Sequence, residues 1–165
     1  MSSQIEYLDF VDDTDNVVGR ASKNEVYEKK LRHRICHVLI LNNKGDMALQ
    51  LRSSTVNFCP NHWSTAVGGH VQSGETYEQG AIREYQEELG TTSNLKLIGI
   101  DSYSNDGTPD KFLATFKTIY EGPFQYEEGK VTKVEYFSID EIKSMIKNGE
   151  KFHPELLFIL KKYYF

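Results

Sequence analysis

The chain contains little cysteine, little proline and no long apolar run. Two of its 165 residues are cysteine and four are proline. No cationic segment followed by an apolar stretch opens the sequence, so we expect Cys36 and Cys59 to be reduced thiols in a cytoplasmic protein, which excludes a disulfide-stapled secreted scaffold. Since no apolar stretch is long enough to cross a bilayer, the sequence predicts no membrane partner.

Basic residues are outnumbered as well. Nineteen Lys and Arg residues face 24 Asp and Glu residues, giving a net charge of −5. This balance excludes a duplex nucleic-acid binder, which needs a basic surface, and suits an enzyme for a small anionic substrate. The chain has no repeat or low-complexity segment, and its length suffices for one sizeable core, so we expect residues 1–165 to form one domain.

The most informative segment covers residues 69–91 and reads GHVQSGETYEQGAIREYQEELGT. On a helix, Glu84, Glu87 and Glu88 are spaced i, i+3 and i+4 and project from one face. Three carboxylates in a small volume repel one another unless cations neutralise them. Oxygen ligands without cysteine favour Mg²⁺ or Mn²⁺, whose coordination shell is usually completed by water and substrate phosphates. The pattern therefore indicates phosphate chemistry.

The glutamates of a Glu-rich helix often form only a solvent-exposed face, so the spacing alone does not establish a site. Two features favour a site. An apolar side is available for packing and consists of Ala81, Ile82, Tyr85 and Leu89. Gly68, Gly69 and Gly74 precede the helix and allow close backbone approach, while Gly90 stands where a helix C-terminal glycine belongs.

Gly69, Glu75 and the run from Arg83 to Gly90 resemble the complete Nudix box, with every fixed position filled. Only Tyr85 and Thr91 depart mildly from its apolar places. This resemblance implies the Nudix α/β fold, an α/β/α sandwich with a mixed β-sheet. It divides the chain into an N-terminal extension, residues 1–34, and a core that carries the box, residues 69–91.

The same resemblance implies roles for individual residues. Glu84, Glu87 and Glu88 are expected to ligate a divalent metal together with the backbone carbonyl of Gly69. Either Glu87 or Glu88 could take a proton from the attacking water. The supporting residues are expected to be Arg83, which would orient the acids or serve only as scaffolding, and Glu75, which would brace the loop or assist with water. Further candidates for substrate or metal contacts are Arg52, His70 and Glu128.

Local patterns outside the box predict an alternation of strands and helices. The expected strands are 6–11, 17–21, 35–41, 47–52, 64–68, 95–103, 112–120 and 134–137. Ser22 heads a capping-box pattern that should open a short helix, and Ser138 should cap a helix over residues 139–147. A last helix is expected from Pro154 to Tyr164.

Within the family, the N-terminal extension and the G-G-H-V sequence are similar to isopentenyl diphosphate isomerase. His33 and His70 match histidines that bind metal in that enzyme, but Val26 stands about where a third would fall. The isomerase also needs a cysteine directly before its Gly-His, and here this place is Gly68. Cys59, nine residues upstream, cannot be assumed to replace it. These departures from the isomerase pattern favour hydrolysis over isomerisation.

The expected function is a divalent-metal-dependent hydrolase that cleaves the diphosphate linkage of a nucleoside diphosphate derivative by water attack on phosphorus. Two alternatives stay open, the isomerase and a nucleotide-binding sensor without turnover. The partner is expected to be a small diphosphate substrate. A homodimer through the N-terminal extension or the aromatic tail, residues 163–165, is a further open alternative.

Overall fold

The computed structural model describes residues 4–127 and 129–165 of the chain. In this part the chain forms nine strands and four helices. The strands are β1 Tyr7–Val11, β2 Val17–Ser22, β3 His33–Leu41, β4 Met47–Arg52, β5 Trp63–Thr65, β6 Val67–His70, β7 Lys96–Tyr103, β8 Lys111–Ile119 and β9 Val131–Phe137. The helices are α1 Lys23–Glu28, α2 Tyr77–Leu89, α3 Ile139–Lys147 and α4 Pro154–Tyr163.

The strands form a mixed sheet around β3. This strand pairs in parallel with β8 along its whole length and antiparallel with β6. The next long strand, β4, lies between β5 and β9 and is antiparallel to both. The β1–β2 hairpin joins β3 at one bridge, and β7 pairs with the far side of β8. A strand with neighbours on both sides is shielded from solvent, and β3 is accordingly almost wholly buried.

Helices cover both faces of the sheet. Alternate residues of a strand point to opposite faces, so Cys36, Val38 and Ile40 of β3 pack with Tyr85 and Leu89 of α2. Residues between them pack on the other side with α3 and α4, for example Leu39 of β3 against the buried leucines of α4. The predicted α/β/α sandwich with a mixed β-sheet is confirmed.

Most predicted elements are present, but two strands and the burial of one side chain differ from the prediction. The expected strand 64–68 is two strands, because the chain pairs with β4 up to Thr65 and with β3 from Val67 onward. The last strand, β9, begins at Val131 and is longer than expected. Ile82 was predicted to pack inward, but it is 40% exposed because Gly80, Ala81 and Tyr85 occupy the inner face of α2. None of the helices in the described ranges is long and apolar enough to cross a membrane.

The N-terminal hairpin holds the loop that leads into α2. The carboxylate of Asp9 accepts a hydrogen bond from the Ser73 hydroxyl at 2.6 Å and one from the Gly74 amide at 3.0 Å. The Ser73 amide donates to the carbonyl of Tyr7 at 2.8 Å. Because these contacts join segments more than sixty residues apart, they tie the N-terminal extension to the segment 69–91.

We predict that Asp9→Ala loosens this loop. The variant leaves the donors of Ser73 and Gly74 without their charged acceptor, which should cost about 1.5–3 kcal/mol of unfolding free energy, the range typical of hydrogen bonds to charged groups. Thermal unfolding should show a lower Tm, and hydrogen exchange at the amides of residues 73–74 should be faster. Asp13→Ala, an exposed site on the same hairpin, is the matched control. Equal exchange rates in both variants would contradict the prediction.

Candidate active site

Local sequence fixes where α2 begins and ends. Thr76 caps its first turn and forms a reciprocal capping box with Gln79. Gly90 ends it in a left-handed conformation at φ 70°, which a glycine adopts without strain, as the sequence predicted. Ala81, Tyr85 and Leu89 are buried against the sheet. This packing leaves the acidic side of α2 beside β6 and the end of the preceding loop.

Arg83 connects the loop to the helix with its whole guanidinium group. It forms a two-bond contact with Glu75 at 2.7 and 3.0 Å. It also donates to Glu84 at 3.0 Å, to Glu87 at 3.2 Å and to the carbonyl of His70 at 2.9 Å. Since a guanidinium has five N–H donors, every one of them is used. These are the contacts that the predicted orienting role of Arg83 and bracing role of Glu75 require.

Glu84 lies directly over the backbone of Gly69. A Cβ atom at residue 69 would stand 2.3 Å from the carboxyl carbon of Glu84, so no other residue fits without displacing that side chain. The carbonyl of Gly69 accepts a weak hydrogen bond from the Cys36 thiol at 3.5 Å. The structure therefore brings Gly69 and Glu84 together.

Of Glu84, Glu87 and Glu88, the side chain of Glu88 is the most deeply buried. Its Oε1 accepts a hydrogen bond from the Gln50 side chain at 3.2 Å, whereas its Oε2 is buried and has no hydrogen-bond partner among the described residues. Burial raises the pKa of Glu88 well above its ordinary value, and the nearby Glu84 raises it further. Burial also raises the pKa of Glu84, although Arg83 opposes this. Two adjacent carboxyl groups and an unpartnered oxygen form a place that a cation would stabilise.

The donors present are suited to a hard divalent cation. Within residues 4–127 and 129–165, no three His, Cys, Asp or Glu side chains already converge as a metal cage. Glu87 is the outlying member, since its side chain is 59% exposed and its carboxylate is paired with Arg83. The all-oxygen set of Glu84, Glu87 and Glu88, with a buried free oxygen on Glu88, fits Mg²⁺ or Mn²⁺ better than zinc.

The structure does not bring the side chain of His70 to these acids. His70 is paired with Ile35 across the sheet, so its ring lies on the face opposite α2, whereas Gly69 is paired with Cys36 on the α2 face. Its Nε2 and the Tyr27 hydroxyl form a hydrogen bond of 2.6 Å. Burial lowers the pKa of this imidazole well below its ordinary value.

The other two candidate contacts are Arg52 and Glu128. Arg52 ends β4, two residues after Gln50, and its Nε donates to the carbonyl of Phe58 at 3.0 Å. This contact leaves other guanidinium donors for a phosphate. Glu128 lies outside the described residues. Gln50 was missed by the sequence reasoning, although a glutamine inside the apolar strand MALQLR could have marked it.

The fold and the acidic helix define an α/β/α protein with three glutamates, Glu84, Glu87 and Glu88, on a helix that packs beside β6. A family model described as NUDIX domain matches residues 31–158. The chain therefore belongs to the Nudix hydrolase family, and the sequence-based identification of the family is confirmed.

Similar proteins cover nearly the whole chain. The uncharacterized Nudix hydrolase all7351 of Nostoc sp. is 29% identical over 170 residues and covers 99% of both chains. The uncharacterized Nudix hydrolase YfcD of Escherichia coli K12 is 28% identical over 152 residues, covering 92% of this chain and 83% of YfcD. The crystal structure of DR0079 from Deinococcus radiodurans is similar with a TM-score of 0.81 and 26% identity, covering 97% of this chain and 100% of DR0079.

Proposed function

We propose that this Nudix hydrolase cleaves the diphosphate linkage of a nucleoside diphosphate derivative and depends on Mg²⁺ or Mn²⁺. The observation that supports it best is the buried Oε2 of Glu88 beside Glu84, which has no hydrogen-bond partner in residues 4–127 and 129–165. Burying a carboxylate oxygen without a partner is costly, and such an oxygen is more readily explained by ligand binding than by packing. The nucleoside part of the proposal comes from the family resemblance and is tested separately below.

Each residue of the candidate site has a proposed role in this hydrolysis. Glu84, Glu87 and Glu88, with the carbonyl of Gly69, would hold the cation, which when bound screens phosphate charge and lowers the pKa of water. Glu87 or Glu88 would accept the proton of the attacking water. Arg83 and Glu75 would keep these acids in place. Arg52 is a further proposed contact, to a phosphate oxygen, and Glu128 is another.

The isomerase alternative receives less support from the structure. A Cβ atom at residue 68 would stand 3.1 Å from Nδ1 of His37 and 3.2 Å from Oγ1 of Thr65, so a cysteine side chain there would be crowded. Burial raises the pKa of the Cys36 thiol, which makes it a poor proton-transfer group. A sensor without turnover is disfavoured because no acid of the predicted set is missing.

We extend the proposal to the domain organisation, the cellular location, the partners and the assembly of this protein. We infer that residues 1–165 act as a single domain, because the N-terminal extension is hydrogen-bonded to the active-site loop. We also infer a cytoplasmic enzyme with a small-molecule substrate and no duplex nucleic-acid partner, given the net charge of −5. A homodimer is the proposed assembly to be tested by light scattering.

Product analysis tests the function. The wild-type protein and Glu87→Gln would be incubated with Mg²⁺ or Mn²⁺ and a panel of nucleotides, nucleotide sugars, dinucleotides and isopentenyl diphosphate. We expect cleavage of a diphosphate bond that is abolished by a chelator and strongly reduced in the variant. Isomerised isopentenyl diphosphate without phosphate release would establish the rival enzyme. Tight binding of a nucleotide without any product would establish the sensor.

A further inference from the structure

Gln50 is a polar side chain in the middle of the sheet. It lies on β4, between β5 and β9, and is 5% exposed. Its neighbours Ala48 and Leu49 are wholly buried and apolar. A buried amide without partners costs free energy, so a glutamine at this place requires a specific use of its hydrogen-bonding groups.

The amide nitrogen of Gln50 has two acceptors. It donates to the carbonyl of Ala66 at 3.0 Å and to Oε1 of Glu88 at 3.2 Å. Because both neighbours of the nitrogen are oxygens that accept hydrogen bonds, the orientation of the amide is fixed. The reversed amide would set its own oxygen against two other oxygens.

The contact ties Glu88 to a rigid part of the fold. Ala66 is the residue between β5 and β6, where the chain leaves β4 and turns to β3. Gln50 thus links the carboxylate on α2 to the strand that leads into Gly69.

The amide of Gln50 is an uncharged donor, and this affects how Glu88 can bind a cation. An arginine or lysine in place of Gln50 would neutralise Glu88 and compete with a cation for it. A glutamine fixes one oxygen of the carboxylate and leaves its charge intact. The other oxygen, Oε2, has no hydrogen-bond partner in the part of the chain that the structure describes.

We propose that Gln50 is a positioning residue, which holds Oε1 of Glu88 so that Oε2 is presented to the divalent cation. Because this inference rests on the proposed function, its test has to separate a failure of Gln50 from a failure of the metal site. Residues behind metal ligands typically change metal affinity or activity by about 10- to 100-fold when they are replaced.

The test compares Gln50→Met, which keeps the length of the side chain but removes its donors, with Gln86→Met at an exposed position on α2. Mn²⁺ binding would be measured by electron paramagnetic resonance. The kinetic constants kcat and KM would be measured on the substrate that the product analysis identifies. We expect about 10-fold or greater weakening of Mn²⁺ binding and a lower kcat, with KM changed less, in Gln50→Met only. Wild-type affinity and kcat in Gln50→Met would overturn the inference.

A second measurement needs no folded variant. In ¹⁵N-labelled wild-type protein, the side-chain NH₂ resonances of Gln50 should shift when Mg²⁺ is added, because the cation would bind the carboxylate that accepts their hydrogen bond. The side-chain NH₂ resonances of Gln86 should stay in place. No shift at Gln50 in protein that binds Mg²⁺ would overturn the positioning role. If the wild type binds neither Mg²⁺ nor Mn²⁺, the metal site itself fails, and the inference fails with it.

Discussion

Replacing Glu88 with Gln should reduce kcat by about 10²- to 10⁴-fold, the range for removal of a positioned acid–base group. The change keeps the size of the side chain and its contact with Gln50, but it removes the charge beside Glu84 that would hold a cation. Steady-state assays at saturating Mg²⁺ give the value. Glu78→Gln, exposed in the first turn of the same helix, is the matched control and should retain wild-type kcat.

The same substitution should raise the stability of the metal-free protein. The pKa of Glu88 is raised in the fold, mainly by burial, so at neutral pH the ionised group is disfavoured in the native state and costs stability. A neutral amide removes that cost. We expect a higher Tm for Glu88→Gln than for the wild type in chelator, by about 2–4 °C for each kcal/mol recovered.

Added Mg²⁺ should raise the Tm of the wild type and leave that of Glu88→Gln nearly unchanged, since a ligand that binds only the native state stabilises it. A variant that is both less active and less stable than the wild type without metal would contradict this account. It would mean that Glu88 contributes to folding as an ordinary paired residue.

The second large effect concerns stability and a buried ion pair on the opposite face of the sheet. Nζ of Lys111 is 2.9 Å from one oxygen of Glu155, and Nε2 of His37 is 2.8 Å from the other. Lys111 and Glu155 are each 5% exposed. These partners hold the pKa of Glu155 well below its ordinary value, although burial acts against them.

Glu155→Gln leaves Lys111 as a buried charge without a counter-charge and should lower the unfolding free energy by about 3–5 kcal/mol. Denaturant unfolding measures this value. The double variant Lys111→Met/Glu155→Gln has no buried charge at these two positions and should recover a large part of the loss. Glu25→Gln, which breaks an exposed pair with Lys29, is the control and should leave Tm unchanged. Losses that simply add in the double variant would contradict the prediction.

The sign of the pH dependence follows from the depressed pKa of Glu155. A carboxyl group whose pKa is lower in the fold contributes its full stability above its unfolded value of 4.5 and loses it as the pH falls further. The wild type should therefore lose stability below about pH 4.5 more steeply than the double variant does. Parallel acid titrations of the two proteins would contradict the assignment.

Much of this protein was predictable from local sequence. Ser138 caps α3 and Gly90 ends α2, because caps are satisfied by residues three or four positions away. The i, i+3 and i+4 spacing placed the acids on one side of α2 for the same reason. The Nudix family could also be identified from the sequence, since its box is contiguous.

Tertiary structure decided which groups support these acids. Gln50 and Gly69 reach Glu88 and Glu84 only through the pairing of β4, β5, β6 and β3, and that register is set by contacts far apart in the chain. His70 shows the limit most clearly. It follows Gly69 in the sequence, yet its side chain lies on the other face, because successive residues of a strand point in opposite directions. Sequence determined the elements and the candidate site residues, while sheet register and strand alternation decided which of those residues meet.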